Sequence, residues 1–431
     1  LSDTSGIDQL PVRQIADGIR SGKWSAERVT RYFLDNVEKR EPDVHAWRNF
    51  DPEVALKQAA AIDANKDDRP LLGVPVGVKD VFVTHDLPTE YGSPIYAGNR
   101  EASDAACVAL TRSAGAIVLG KTVSTEFATL HPGETRNPHD TKRTPGGSSS
   151  GSVAAVGAAM VPLAYGTQTA GSTIRPASYC GIVGYKPTFG AIPRAGLKLV
   201  AESLDTVGLF GKRVDDVGLF AEASAGRPFL DPAPLSGAPR LAVCRTKEWE
   251  AAEPTTLERL SDVARQLQEH GASIEVVTLP PEFDGLADAQ WDVMCFEGYR
   301  ALTHERMNFP DKCSVDLHKL FETAQATPFA KYETALQTIA RCRSLFHQFM
   351  ADKGYDAVLT PAAPGEAPLG LGSTGNPIIN RPWTALYVPC ITLPLMTGPA
   401  GMPIGVQFAG RLHADSRLFQ VASWVESKLL G

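Results

Sequence analysis

Short β-branched runs alternate with helix-length stretches along most of this chain, and that alternation admits few architectures. Gly73-Val-Pro-Val-Gly-Val-Lys79 reads as a buried strand, Asp104 to Ala114 as a helix, and Ala116-Ile-Val-Leu119 as a strand again. Further on come Leu241–Arg245 (strand), Thr255–His270 (helix) and Ser273–Thr278 (strand). Tyr355–Thr360, Cys390–Pro394 and Pro403–Phe408 read as strands, and His413–Leu430 closes as a helix. The expected class is α/β, a sheet with helices packed on it.

Two regions depart from the alternation. The first 65 residues read as helical: Ser25 caps a helix that Pro42 is expected to stop, and Asp51-Pro52 opens another reaching Asn65. Residues 283–351 are helix-prone and amphipathic and are expected to form a lobe over the sheet. The Pro/Gly-rich stretch 226–237 is the best linker candidate. The expected organisation is therefore an N-terminal helical segment (1–70), a core (71–225) and a remainder (226–431) carrying the lobe, all within one structural body.

The chain has 431 residues, 43% hydrophobic and 21% charged, with a formal charge of −7, enough apolar material for a large core. No basic run points to nucleic acid or a membrane surface, and no apolar run reaches the ~18 residues of a spanning helix. The seven cysteines are widely spaced without a C-x-x-C pair. That pattern suggests neither a disulfide framework nor a zinc site, and it fits reduced thiols in a cytoplasmic protein. The first residues, Leu-Ser-Asp-Thr, hold no basic segment followed by an apolar one, so no secretory leader is expected.

The chemistry is concentrated in Thr144-Pro-Gly-Gly-Ser-Ser-Ser-Gly-Ser152 and Gly166-Thr-Gln-Thr-Ala-Gly-Ser172-Thr-Ile-Arg-Pro-Ala177. Glycines let main-chain N–H groups approach a ligand closely. A serine at such a turn can expose its Oγ while neighbouring N–H groups converge on a developing oxyanion. A phosphate loop fits poorly, because no G-K-[ST] follows the glycines. A lysine ending a buried strand upstream, Lys79, adds a base candidate.

These segments resemble the amidase-signature hydrolase family. Gly146–Ser152, Gly166–Ser172 and Arg175–Thr188 stand in the family's order and spacing; Leu72–Asp80 is similar to the segment bearing its catalytic lysine, and Gly401–Gln407 to its C-terminal strand. The Ser172-Thr-Ile-Arg175 form and the overall length are similar to the malonamidase branch. The resemblance implies a large mixed central β-sheet covered by helices on both faces. It implies Ser172 as nucleophile, Ser148 as the bridging serine on a cis Gly147–Ser148 peptide, and Lys79 as base, with Thr167 supporting the network. The N–H groups of Thr169, Ala170, Gly171 and Ser172 would form the oxyanion hole. Ala170 stands where the family more often has Gly, so a positive φ there would be strained by roughly 1 kcal/mol. Arg175 would contact a substrate carboxylate or carbonyl, or else make a structural pair beside the site.

The implied reaction is acyl transfer. Lys79 accepts a proton from Ser148, which takes one from Ser172 as it attacks the carbonyl; water then hydrolyses the acyl-enzyme. Burial away from carboxylates would keep the Lys79 amine neutral, and Asp80 should point to the opposite side. Malonamate-like amides, aryl amides, ureides and carbamates (urethanes) all suit this chemistry. No cofactor, metal, nucleic acid or membrane is expected, and a homodimer is left open. His131 and His139 are expected to be ordinary loop histidines.

Three rivals stand beside this reading. An amidotransferase subunit would release ammonia to a partner. An α/β-hydrolase esterase would use Ser149 in Gly147-Ser-Ser-Ser-Gly151, with His413-Ala-Asp415 completing a triad. A non-catalytic binding protein on the same fold would have no use for Lys79, Ser148 and Ser172 together.

Overall fold

The computed structural model describes residues 6–231 and 233–431. Its strands are β1 (Trp47–Phe50), β2 (Pro75–Lys79), β3 (Ile117–Thr122), β4 (Leu163–Gln168), β5 (Val183–Lys186), β6 (Thr206–Gly211), β7 (Arg240–Arg245), β8 (Ser273–Thr278), β9 (Ala357–Pro361), β10 (Cys390–Thr397) and β11 (Pro403–Ala409). All belong to one 11-stranded sheet in the order β1-β3-β2-β4-β6-β5-β10-β11-β9-β7-β8. The sheet is mixed: β3, β2 and β4 run parallel, as do β8, β7 and β9, while the centre is antiparallel. The strands after residue 237 join it through β10, which pairs antiparallel with β5, so the expected α/β class with a large mixed sheet is what the chain adopts.

Strands near the middle are buried along their whole length, β2, β3, β4 and β6 among them. This is why they read as continuous apolar runs rather than alternating ones. Helices 286–301, 315–325 and 329–353 pack together, and Gln290 of the first donates to Thr169 O just past the end of β4.

Two expectations for the N-terminal region need correction. The first 65 residues are not all helical, since β1 pairs antiparallel with β3. Its Trp47 fits only because position 120 is glycine, where a Cβ would lie 2.7 Å from the indole. That pairing is non-local and leaves no mark in local propensity. Nor does Pro42 stop its helix, which runs Ala26–Val44. The end comes at His45, whose φ of 53° breaks the helical path. The Glu41 carboxylate fastens the turn by accepting from the N–H groups of Ala46 (2.8 Å) and Trp47 (3.0 Å). A proline in a last turn gives up one donor without cutting the ladder in the middle.

All seven cysteines are free and buried. No helix among the described residues is long and apolar enough to cross a membrane.

Candidate active site

Lys79 is the last residue of β2 and is fully buried. Its Nζ lies 2.7 Å from Ser148 Oγ, 2.7 Å from Thr167 Oγ1 and 3.1 Å from Ser149 Oγ. Three hydroxyls and no carboxylate therefore surround the amine. Burial disfavours the ammonium and brings its pKa from 10.5 down to about 7, against a partial upward pull from the Asp205 charge. Asp80 faces elsewhere: it accepts from the N–H groups of Glu90 and Gly92 and lies 3.6 Å from Lys121.

Ser148 follows a cis peptide from Gly147, and its carbonyl accepts from Thr125 N–H at 3.2 Å. Gly146 has a φ of 85°, and a Cβ there would lie 2.8 Å from Pro176 Cα. Glycine is required on both counts. Arg175 Nη2 donates to Gly147 O at 2.7 Å and Nη1 to Gly375 O at 2.9 Å. Burial lowers the pKa of that guanidinium to about 10.

Ser172 lies in the turn between β4 and the helix Ile174–Tyr179. It is 8% exposed against 2% for Ser148 and 0% for Lys79, the most accessible of the three side chains. The turn is held by its carbonyls. Thr169 O accepts from Gln290 Nε2 (2.8 Å), Ala170 O from Thr384 Oγ1 (2.8 Å) and Gly171 O from Arg175 N–H (3.1 Å). Gln168 Oε1 takes the N–H groups of Thr173 and Ile174. Among the described residues no acceptor pairs with the N–H groups of Ala170, Gly171 or Ser172. Those three donors are left for a ligand oxygen. Gly171 lies so close to Asn380 that a Cβ would meet its Oδ1 at 2.6 Å. Ala170 is not in the left-handed region, so the strain expected there does not arise.

The alternative nucleophile Ser149 is fully buried. Its Oγ accepts from Thr167 N–H (3.2 Å) and donates to Thr167 O (3.3 Å), which fastens it to β4. Asp415, its supposed triad partner, instead accepts from Tyr185 Oη and from Thr188 N–H and Oγ1. Among the described residues neither His413 nor Asp415 bonds to Ser149, so the esterase triad is not assembled there. His131 faces Asp316 and His139 lies 2.9 Å from Cys180 O; neither touches Lys79, Ser148 or Ser172. His85, Asp86 and Asp104 are close enough to share a cation, but both carboxylates pair with Arg112.

Sequence reasoning missed the residues that hold the turn, namely Gln168, Asp205, Gln290, Asn380 and Thr384. Gln168 lies within the Gly166–Ser172 segment, whose resemblance assigns it no role, and the other four come from further along the chain, where no motif marks them.

The sequence matches the Amidase family across residues 28–419. It is 38% identical to a glutamyl-tRNA(Gln) amidotransferase subunit of Thermobifida fusca, over 98% of this chain and 96% of that one. Among solved structures, it superposes with a TM-score of 0.86 and 29% identity on a chain described in work on a vestigial protein complex and the origins of an s-triazine catabolic enzyme, covering 97% of this chain and 98% of that one. The corresponding glutamyl-tRNA(Gln) amidotransferase subunit of Thermotoga maritima gives a TM-score of 0.80 at 27% identity, over 99% and 96% of the two chains. None of these relatives bears a malonamidase name.

Proposed function

The chain belongs to the amidase family, and from that premise we propose that it cleaves an amide-type C–N bond through an acyl-enzyme on Ser172. The observation carrying this is the Lys79 amine, buried among hydroxyls and 2.7 Å from Ser148 Oγ. Neutral above about pH 7, it takes the Ser148 proton as Ser148 takes that of Ser172. The N–H groups of Thr169, Ala170, Gly171 and Ser172 receive the oxyanion. The lysine then returns a proton through Ser148 to the leaving nitrogen, and water releases the acyl group. Thr167 fixes the amine. Arg175 acts as a positioning residue, since both its terminal nitrogens already bond main-chain carbonyls beside Ser148; a malonamate-like preference loses its anchor to that extent. Small amides, ureides and carbamates fit the chemistry equally.

The similarity to the Thermobifida fusca protein favours a second reading, in which the released nitrogen is ammonia passed to a partner protein. Amide cleavage at Ser172 is common to both. A panel of amide and carbamate substrates, with free amide donors such as glutamine included, separates them. Turnover by the isolated chain supports the hydrolase, and turnover only with a co-purifying partner supports the amidotransferase. If a fluorophosphonate labels no serine, or labels Ser149, the common mechanism fails.

A further inference from the structure

Thr167 near the end of β4 and Thr169 just beyond it each make one buried contact that bears on the site. Thr167 Oγ1 meets Lys79 Nζ, while Thr169 Oγ1, two residues on at the start of the oxyanion turn, donates to Asp205 Oδ1. Asp205 immediately precedes Thr206, which pairs with Gln168 across the β4–β6 ladder. Its carboxylate is buried, and Oδ2 accepts from the N–H groups of Val200 (2.6 Å) and Ala201 (3.1 Å).

We propose that Asp205 is a positioning residue that ties the lysine base to the oxyanion turn, holding Thr169 through its hydrogen bond and acting on Lys79 through its charge. The proposal rests on the amidase reading. The charged groups around it are few. Arg194 donates to the Asp205 and Glu202 carbonyls (both 2.9 Å) from the preceding loop. Glu297 of the lobe holds Ser203 at the same turn. Lys79 of β2 makes no direct bond to it and feels it only as a charge. A buried negative charge favours the ammonium even without touching the amine, so the Asp205 charge partly offsets the lowering of the Lys79 pKa by burial. The residue therefore has two separable effects. Its hydrogen bond orients the turn that receives the oxyanion, and its charge sets the pH at which the base becomes competent.

The test needs no knowledge of the substrate: it is the rate of fluorophosphonate labelling at Ser172 as a function of pH, on the full chain. For Asp205→Asn, the alkaline-activated limb should move down by roughly 0.5–1 pH unit, because the charge holding the ammonium is gone. At pH 9, where the amine is neutral in wild type and variant alike, Thr169→Val, which has no hydroxyl for Asp205 to hold, should be labelled at least ~10-fold more slowly. Asp205→Glu keeps the charge and should keep the limb near its wild-type position. A folded Asp205→Asn protein with an unmoved limb, or wild-type labelling of Thr169→Val at pH 9, overturns the proposal. Should Asp205→Asn not fold, Thr169→Val removes the bond alone; slowed labelling with an unmoved limb then supports the tie, and wild-type labelling overturns it. Absence of Ser172 labelling in the wild type would instead mean that the amidase reading itself has failed.

Discussion

Replacing Lys79 with methionine should abolish activity and, at neutral pH, stabilise the protein. The buried amine has a pKa of about 7, against 10.5 for an ordinary lysine. Between those values the unfolded chain binds a proton that the folded chain does not, so wild-type stability rises with pH across that window. Below about pH 7 both states are protonated, and the cost of burying the ammonium is fully present. Each pKa unit corresponds to about 1.4 kcal/mol, so the lysine costs roughly 4–5 kcal/mol at pH 7 relative to pH 10.5. Methionine fills a similar volume and removes that cost, but it leaves Ser148 and Thr167 without their hydrogen-bond partner, at about 1 kcal/mol each or more. The net expectation is a variant roughly 1–3 kcal/mol more stable than wild type at pH 7. Between pH 7 and pH 9 that advantage should shrink by about 2–3 kcal/mol. Urea unfolding of both proteins across the range measures it, and other titrating groups cancel in the difference. A gap independent of pH would refute the neutral-amine argument.

The remaining predictions concern the residues around the lysine. Ser172→Ala should eliminate both turnover and fluorophosphonate labelling, and combining it with Lys79→Ala should add no further loss, because the side chains act as a unit; residual labelling on another serine would count against the assignment. For the native enzyme, kcat/KM should rise with pH on an apparent pKa near 7, and a limb near 10 would mean the amine is solvated. Arg175→Ala frees Gly147 O and Gly375 O, so turnover of acidic and neutral amides should fall together while the protein loses roughly 1–3 kcal/mol of stability; a selective loss of acidic substrates would restore it to substrate binding. Gly171→Ala puts a Cβ 2.6 Å from Asn380 Oδ1 and should cut turnover at least ~10-fold, with Asn380→Ala partly restoring it; wild-type turnover in the single variant would mean the turn is not held as described.

The sequence alone determined the parts whose cause is local. Unbroken β-branched runs announce strands buried on both faces, and β2, β7 and β11 lie where those runs predict them. Glycine density announces close main-chain approach in 144–177, while the roles expected of Lys79, Ser148, Thr167 and Ser172 follow from the family resemblance of those segments. Tertiary structure decided what depends on distant partners. β1 exists because β3 offers it an edge. The Ser149 hydroxyl, indistinguishable from its neighbours in a serine run, is removed from the chemistry by its bonds to Thr167. Arg175, equally able on paper to hold a substrate or the scaffold, bonds the carbonyls of Gly147 and Gly375. The turn from Thr169 to Ser172 owes its shape to Gln290, Asn380 and Thr384, more than a hundred residues further on. A side chain's type limits the bonds it can make, but which of them it makes is set by the groups that folding brings within about 3 Å of it.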